Sequence, residues 1–206
     1  EIAEHVRAHG DGVHDIAFAV DDVESAWRET TARGAVSALI PSELDGGDDG
    51  VLRKASIRTY GETLHSFVDR RDYQGAFAPG YRKSKGTAPA AGGLSLLEVD
   101  HCVGNVDLGQ MDTYVDFYRD VLGFAQLIHY DDKVIHTEYS ALMSKVMTNG
   151  NGRVKFPINE PAPGKKKSQI QEYLDWYRSP GCQHIALRTD DIVSTVRRLR
   201  DNGIEF

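Results

Sequence analysis

The segment HDIAFAVDDVESAWRETTARGA, His14 to Ala35, recurs near the other end of the chain as QHIALRTDDIVSTVRRLRDNGI, Gln183 to Ile204. At a constant offset of 169, Ile16 aligns with Ile185, Ala17 with Ala186, and Asp21-Asp22 with Asp190-Asp191. Ser25, Arg28 and Gly34 likewise match Ser194, Arg197 and Gly203. Such self-similarity indicates a fold made by repeating one supersecondary unit. A weaker third copy lies between the two: His101 to Asp107 can be laid on Asp15 to Asp21, and the helical pattern Met111 to Leu122 ends at Gly123. That copy carries a three-residue insertion around Gly109-Gln110-Met111. One strand position therefore holds Asp15, His101 and His184 in turn.

Each copy opens with a short apolar strand: Val13 to Val20, Leu97 to Val106 and Cys182 to Thr189. A helix follows, with Val23, Ala26, Trp27 and Thr30 on one face in the first copy, and Ile192, Thr195, Val196 and Leu199 in the last. The Asp-Asp pairs read first as caps, with Asp22 and Asp191 at the helix starts and Gly34 and Gly203 as left-handed stops. Strands are expected over Ala35 to Pro41, Leu52 to Tyr60 and Thr63 to Asp69, with a Gly-Asp-rich hairpin between Asp45 and Gly50. The second copy continues with Phe124 to Tyr130, Val134 to Met143 and Arg153 to Ile158, so the unit is βαβββ and the fold class α+β. Ser168-Gln-Ile-Gln171 is a capping box for a helix from Gln169 to Tyr177, and Glu1 to His9 reads as a helix tail. The expected organisation is one unit over 1–70, a linker over 71–93 rich in Gly, Pro, Ala and Lys, and a second region over 94–206. The third copy stops just after its helix. The sequence is therefore expected to be an internal piece of a longer protein.

Composition excludes several classes. The chain of 206 residues has a net charge of −7, which argues against nucleic acid or an anionic membrane as partner. No apolar run approaches the length of a membrane span, and nothing resembles a signal peptide. Two cysteines, Cys102 and Cys182, are too few for a disulfide framework and favour a reducing cytoplasm.

Alternation along a strand puts His101, Val103 and Asn105 on one face, and His184, Ala186 and Arg188 on one face of the third copy. If the two units pair into one curved sheet, both histidines reach a common interior. Two neutral imidazoles and one carboxylate make the facial triad of non-haem Fe(II) oxygenases. His14 is one residue out of register with that position. His5, His9, His65, His129 and His136 have no counterpart in another copy and read as structural or solvent-facing. Asp15 marks the first unit as lacking the histidine. The run Lys165-Lys166-Lys167 reads as a solvated loop.

The stretches LEVDHCVGNV (97–106), TEYSALMSKVM (137–147), VKFPINEPAPGKKKSQIQEYL (154–174) and GCQHIAL (181–187) closely resemble the 4-hydroxyphenylpyruvate dioxygenases of bacterial type, in the vicinal oxygen chelate superfamily. The resemblance covers essentially the whole chain, and PINEP (157–161) is its most specific motif. It implies that His101 and His184 are iron ligands, and that Ser144, Pro157, Asn159, Gln169 and Gln183 bind substrate. It places the third ligand, a glutamate, beyond Phe206, and supports neither Glu138 nor Glu160 in that role. The implied cofactor is Fe(II). The implied reaction takes a small 2-oxo acid, 4-hydroxyphenylpyruvate, and O2 to homogentisate and CO2 in tyrosine catabolism. Assembly through non-catalytic surfaces, common in the superfamily, would make the protein a homo-oligomer. Two alternatives stay open: a 4-hydroxymandelate synthase with the same substrate and iron site, and a metal-free binding protein of the same fold.

Overall fold

The computed structural model describes residues 2–83, 95–127, 135–136, 141–162 and 166–206. In chain order the elements are α1 (Ile2–His9), β1 (Asp15–Ala19), α2 (Val23–Ala32), β2 (Ser37–Asp45), β3 (Val51–Arg58), β4 (Leu64–Asp69) and β5 (Leu96–Asn105). Then follow α3 (Met111–Asp120), β6 (Ala125–Leu127), β7 (Ile135–His136), β8 (Ala141–Thr148), β9 (Lys155–Ala162), α4 (Gln169–Tyr177), β10 (Gly181–Thr189) and α5 (Ile192–Asp201). The strands form two sheets, β1-β4-β3-β2 and β10-β5-β9-β8-β6, with β7 paired to β8. In each unit the first strand runs parallel to the last, and the hairpins between them are antiparallel. This is the α+β fold of βαβββ units expected from the repeat. Among the described residues no helix is long and apolar enough to cross a membrane.

Hydrogen bonds verify the alignment of the first two copies. Val20 N–H donates to Val68 O at 3.1 Å, and Val106 N–H donates to Asn159 O at 2.9 Å. Val20 and Val106 therefore hold the same place, and counting back five residues puts Asp15 where His101 stands. The caps also form as expected. Asp22 accepts from Ser25 N–H and Asp191 from Ser194 N–H, each at 3.0 Å, and Ser168 accepts from Gln171 N–H at 3.1 Å. Gly34 and Gly203 end their helices at φ of 102° and 85°, where a Cβ would be strained.

Several strand boundaries differ from expectation, and β2 runs on past Pro41 to Asp45. The single strand expected over Val134 to Met143 holds two, β7 and the start of β8, which pair antiparallel; β8 runs on to Thr148, and β9 continues past Ile158 to Ala162. Pro157 and Pro161 lie within β9 although proline cannot donate to a ladder. Asn159 turns its backbone toward β5, and both prolines share its parity. Only Ile158 and Asn159 pair with β5, so the missing N–H groups fall outside that short parallel ladder. The expected linker begins in contact with the first unit: Tyr73 is buried and bridges Gly50. Residues 84–94 of the linker, with His129, Glu138 and Lys165, lie outside the described residues.

The two units share a core. Tyr60 from the first unit joins Cys102, Val106, Tyr118, Phe156 and Ile158 of the second, with Ile16 and Phe18 packed against them. Tyr60 lies so close to β5 that a Cβ on Gly104 would sit 2.7 Å from its ring. A polar bridge crosses the same boundary. His65 on β4 donates from Nδ1 to Ile16 O at 3.2 Å, and its Nε2 accepts from Tyr118 Oη at 2.7 Å. Both imidazole nitrogens are satisfied by the neutral ring, and burial lowers its pKa to about 4.

Two outcomes follow from this boundary. Between pH 6.5 and about 4 the unfolded chain binds a proton at His65 that the folded chain refuses. Stability is therefore full above pH 6.5 and falls by about 3 kcal/mol as the pH drops to 4. Urea titrations across that range check it, with a flatter profile expected for His65→Asn. Gly104→Ala forces the Tyr60 ring away and is expected to cost about 1–3 kcal/mol in the same assay.

Candidate metal centre

β5 and β10 pair antiparallel, with His184 opposite Val103 and Ala186 opposite His101. Directly opposed residues share a face, so both imidazoles rise from one side of the sheet as a diagonal pair. Their ring centroids are 5.7 Å apart, with planes inclined at 73°. The ladder slips on either side of them. Gln183 is the extra residue between the pairs Cys182–Gly104 and His184–Val103, and Asp100 is the extra residue between Ala186–His101 and Leu187–Val99.

These two bulged residues are the ones that bond the histidines. Asp100 Oδ2 lies 2.7 Å from His101 Nδ1, and Gln183 Oε1 lies 3.0 Å from His184 Nδ1. Both partners are acceptors, so each Nδ1 carries a proton, and in the neutral ring each Nε2 keeps its lone pair. That is the form in which an imidazole binds a divalent ion, with the other nitrogen anchored by a carboxylate or carbonyl. Bulges of this kind re-aim side chains beside functional sites. Asp100 is held in turn by Lys155 Nζ at 2.6 Å from its Oδ1. The His101 hydrogen bond and then Lys155 hold the Asp100 carboxyl below its usual range. Burial, and then the neighbouring His101, lower the His184 pKa and favour its neutral form. The donor set of this face therefore fits a metal ion for two of its ligands.

A row of polar side chains crosses the same face. Asn105 lies beside Asn159 in the parallel ladder, and Ser144 lies opposite Asn159 on β8. Pro157, two residues along β9, shares that face. Asn105 and Asn159 are buried, and neither Asn105 Oδ1, Asn105 Nδ2 nor Asn159 Oδ1 has a hydrogen-bond partner. Each such orphan costs about 1–3 kcal/mol. Unsatisfied buried amides in a row leading from His101 are groups that a polar ligand would satisfy. Gln169 opens α4, where it is exposed, and α4 packs on β5, β9 and β10. The ladders thus bring together His101, His184, Gln183, Ser144, Pro157 and Asn159, while Gln169 stands apart on its helix.

Sequence reasoning passed over Asp100 and Lys155, and placed Asn105 on the His101 face without giving it a role. Asp100 had a signal, since it is a carboxylate next to a candidate ligand, but a regular strand would point it to the other face. Glu160 takes a different role. It stands on the opposite face of β9 from Asn159, and its Oε2 accepts from Met111 N–H at 2.9 Å. The Gln110 side chain makes no cap for α3. The insertion that displaced the Asp cap of the other copies is thus answered by a carboxylate from β9, placed against the positive end of the helix. In the first unit Asp15 Oδ2 binds Lys54 Nζ at 2.8 Å and Ser66 Oγ at 2.7 Å, so the place of His101 there holds an ion pair.

The model of the Glyoxalase/Bleomycin resistance protein/Dioxygenase superfamily matches residues 98–206. A 4-hydroxyphenylpyruvate dioxygenase of Aspergillus fumigatus is 49% identical over 210 residues, covering all of this chain and 52% of that protein. One from Dictyostelium discoideum is 44% identical over 212 residues, covering all of this chain and 57% of that protein. The chain spans about half the length of the curated relatives it matches. Neither source is bacterial, so these relatives add nothing to the bacterial-type qualifier. A solved mutant of 4-hydroxymandelate synthase from Streptomyces coelicolor superposes with a TM-score of 0.78 at 26% identity, over all of this chain and 57% of that one.

Glu160 provides a check on the ligand set. Glu160→Gln is expected to lower stability by about 1–2 kcal/mol through the weakened α3 cap. It is expected to leave metal content unchanged, as metal analysis beside urea denaturation would record.

Proposed function

Since the chain belongs to the Glyoxalase/Bleomycin resistance protein/Dioxygenase superfamily, we propose that it serves the Fe(II)-dependent conversion of 4-hydroxyphenylpyruvate and O2 to homogentisate and CO2. The observation that carries this reading is the His101–His184 pair, each ring anchored at Nδ1 by its own bulged neighbour. Dioxygenase relatives of this superfamily imply a metal cofactor. Two imidazoles with a carboxylate suit Fe(II), and the family resemblance assigns that carboxylate to a glutamate beyond Phe206. Fe(II) held there supplies chelation of the 2-oxo carboxylate and activation of O2.

The chain's own residues do the rest. His101 and His184 present Nε2 lone pairs from one rigid sheet, and Asp100 and Gln183 fix their tautomers and ring orientations. Asn159 and Ser144 offer hydrogen bonds to the polar groups of the substrate, with Asn105 in the same row. Pro157 forms an apolar wall beside them, and Gln169 lies at the start of the neighbouring helix. The two buried free cysteines support a reducing compartment, such as the cytoplasm, for a metal kept in its ferrous state.

The structural likeness to 4-hydroxymandelate synthase keeps that activity as the second reading. Product analysis of the full-length protein with 4-hydroxyphenylpyruvate separates them. Homogentisate is expected, and hydroxymandelate as the main product would favour the synthase. His184→Ala is expected to lose both iron and turnover; unchanged iron content would overturn the ligand assignment.

A further inference from the structure

We propose that His5, His9 and Glu62 form a second divalent-metal site, of the zinc class, which ties α1 and the β3–β4 turn to the end of α4. His5 and His9 are four residues apart on α1, the spacing that puts two imidazoles on one helix face. Both side chains are more than nine-tenths buried, while Glu62 is half-exposed. His5 Nδ1 lies 3.3 Å and His9 Nε2 3.2 Å from the same oxygen, Glu62 Oε2. All three donor atoms fall within 4.8 Å of one another. A tetrahedral ion with bonds of about 2.0–2.1 Å spaces its ligand atoms roughly 3.3 Å apart. The two contacts to Glu62 already match tetrahedron edges.

The bonds behind the rings decide which nitrogens face the carboxylate. His9 Nδ1 lies 2.6 Å from Tyr177 O, so this nitrogen carries the proton and donates. In the neutral ring Nε2 is then a buried lone pair without a hydrogen-bond partner, 3.2 Å from an oxygen that is also an acceptor. Two acceptors at that distance repel, and a positive centre between them removes the repulsion. His5 Nε2 meets Tyr177 Oη at 3.0 Å, which leaves its Nδ1 turned toward Glu62. Each ring thus has one nitrogen anchored by Tyr177 and the other aimed at the carboxylate, the arrangement of metal-binding imidazoles.

Protons are the competing positive centre. Protonating both rings would set two imidazolium ions with centroids 5.0 Å apart, and the His14 ring lies 4.8 Å from His5 as well. Burial lowers the His5 pKa, opposed by the Glu62 hydrogen bond and aided by its two histidine neighbours. One divalent ion would satisfy the ring lone pairs and the carboxylate together without protonating any of the adjacent rings. Glu62 opens the site to solvent and leaves a position for water.

The test uses the full-length, iron-loaded protein titrated with Co(II), whose visible absorption reports four-coordinate binding, and with Zn(II). A second equivalent per chain is expected, together with a rise in melting temperature on adding zinc. Glu62→Gln, a half-exposed and nearly isosteric change, is expected to weaken that equivalent at least tenfold and abolish the thermal shift. His184→Ala is expected to lose iron and keep the second equivalent, so the two metal assignments fail separately. Absence of a second equivalent in the unsubstituted protein, or the same Co(II) spectrum and affinity in Glu62→Gln, would overturn the proposal.

Discussion

The antiparallel ladder between β5 and β10 is the contact on which the candidate centre depends. It adds the third copy's strand to the second copy's sheet and makes one sheet of two repeats. His101 and His184 lie 83 residues apart in sequence, and they meet only because that ladder sets them on neighbouring strands with matching faces. Two of its three slips matter as much as its register. A regular ladder would send Asp100 and Gln183 to the far side of the sheet; the bulges return them to the histidines, where each fixes a tautomer.

Behind that sheet, the shared core holds it in place. Tyr60 packs against the bare Gly104 backbone on the core face of β5, one residue from Val103 and Asn105 on the other. His65 and Tyr118 close a buried hydrogen bond between the units nearby. The first unit therefore shapes the second mechanically, although its own equivalent position holds an Asp15–Lys54 ion pair.

Much of this was legible in the chain. The repeat predicted βαβββ units, and the caps at Asp22, Asp191 and Ser168 and the stops at Gly34 and Gly203 formed as their local chemistry dictates. Capping depends on residues three apart, which is why it reads directly from sequence. Most of what escaped notice depends on residues far apart. Glu160 caps a helix that begins 49 residues earlier, so no local pattern announces it. Asp100 escaped for another reason: it is next to His101 in sequence but reaches the ring through a bulge, as Gln183 does beside His184, and bulges break the alternation that sequence reasoning assumes. His5 and His9 lacked counterparts in other copies, and only folding brings Glu62 and Tyr177 to them.

By itself the sequence determined the repeated unit, the strand position that carries histidine in two copies, and the family resemblance with its implied chemistry. These rest on local periodicity and on motif identity, neither of which needs contacts. The tertiary structure alone decided which faces meet, which nitrogen of each imidazole is left as a lone pair, and which carboxylates are committed elsewhere. Those outcomes depend on ladder register and on angstrom-scale distances between remote segments, and hydrogen bonding distinguishes a ligand from a cap only once those distances exist.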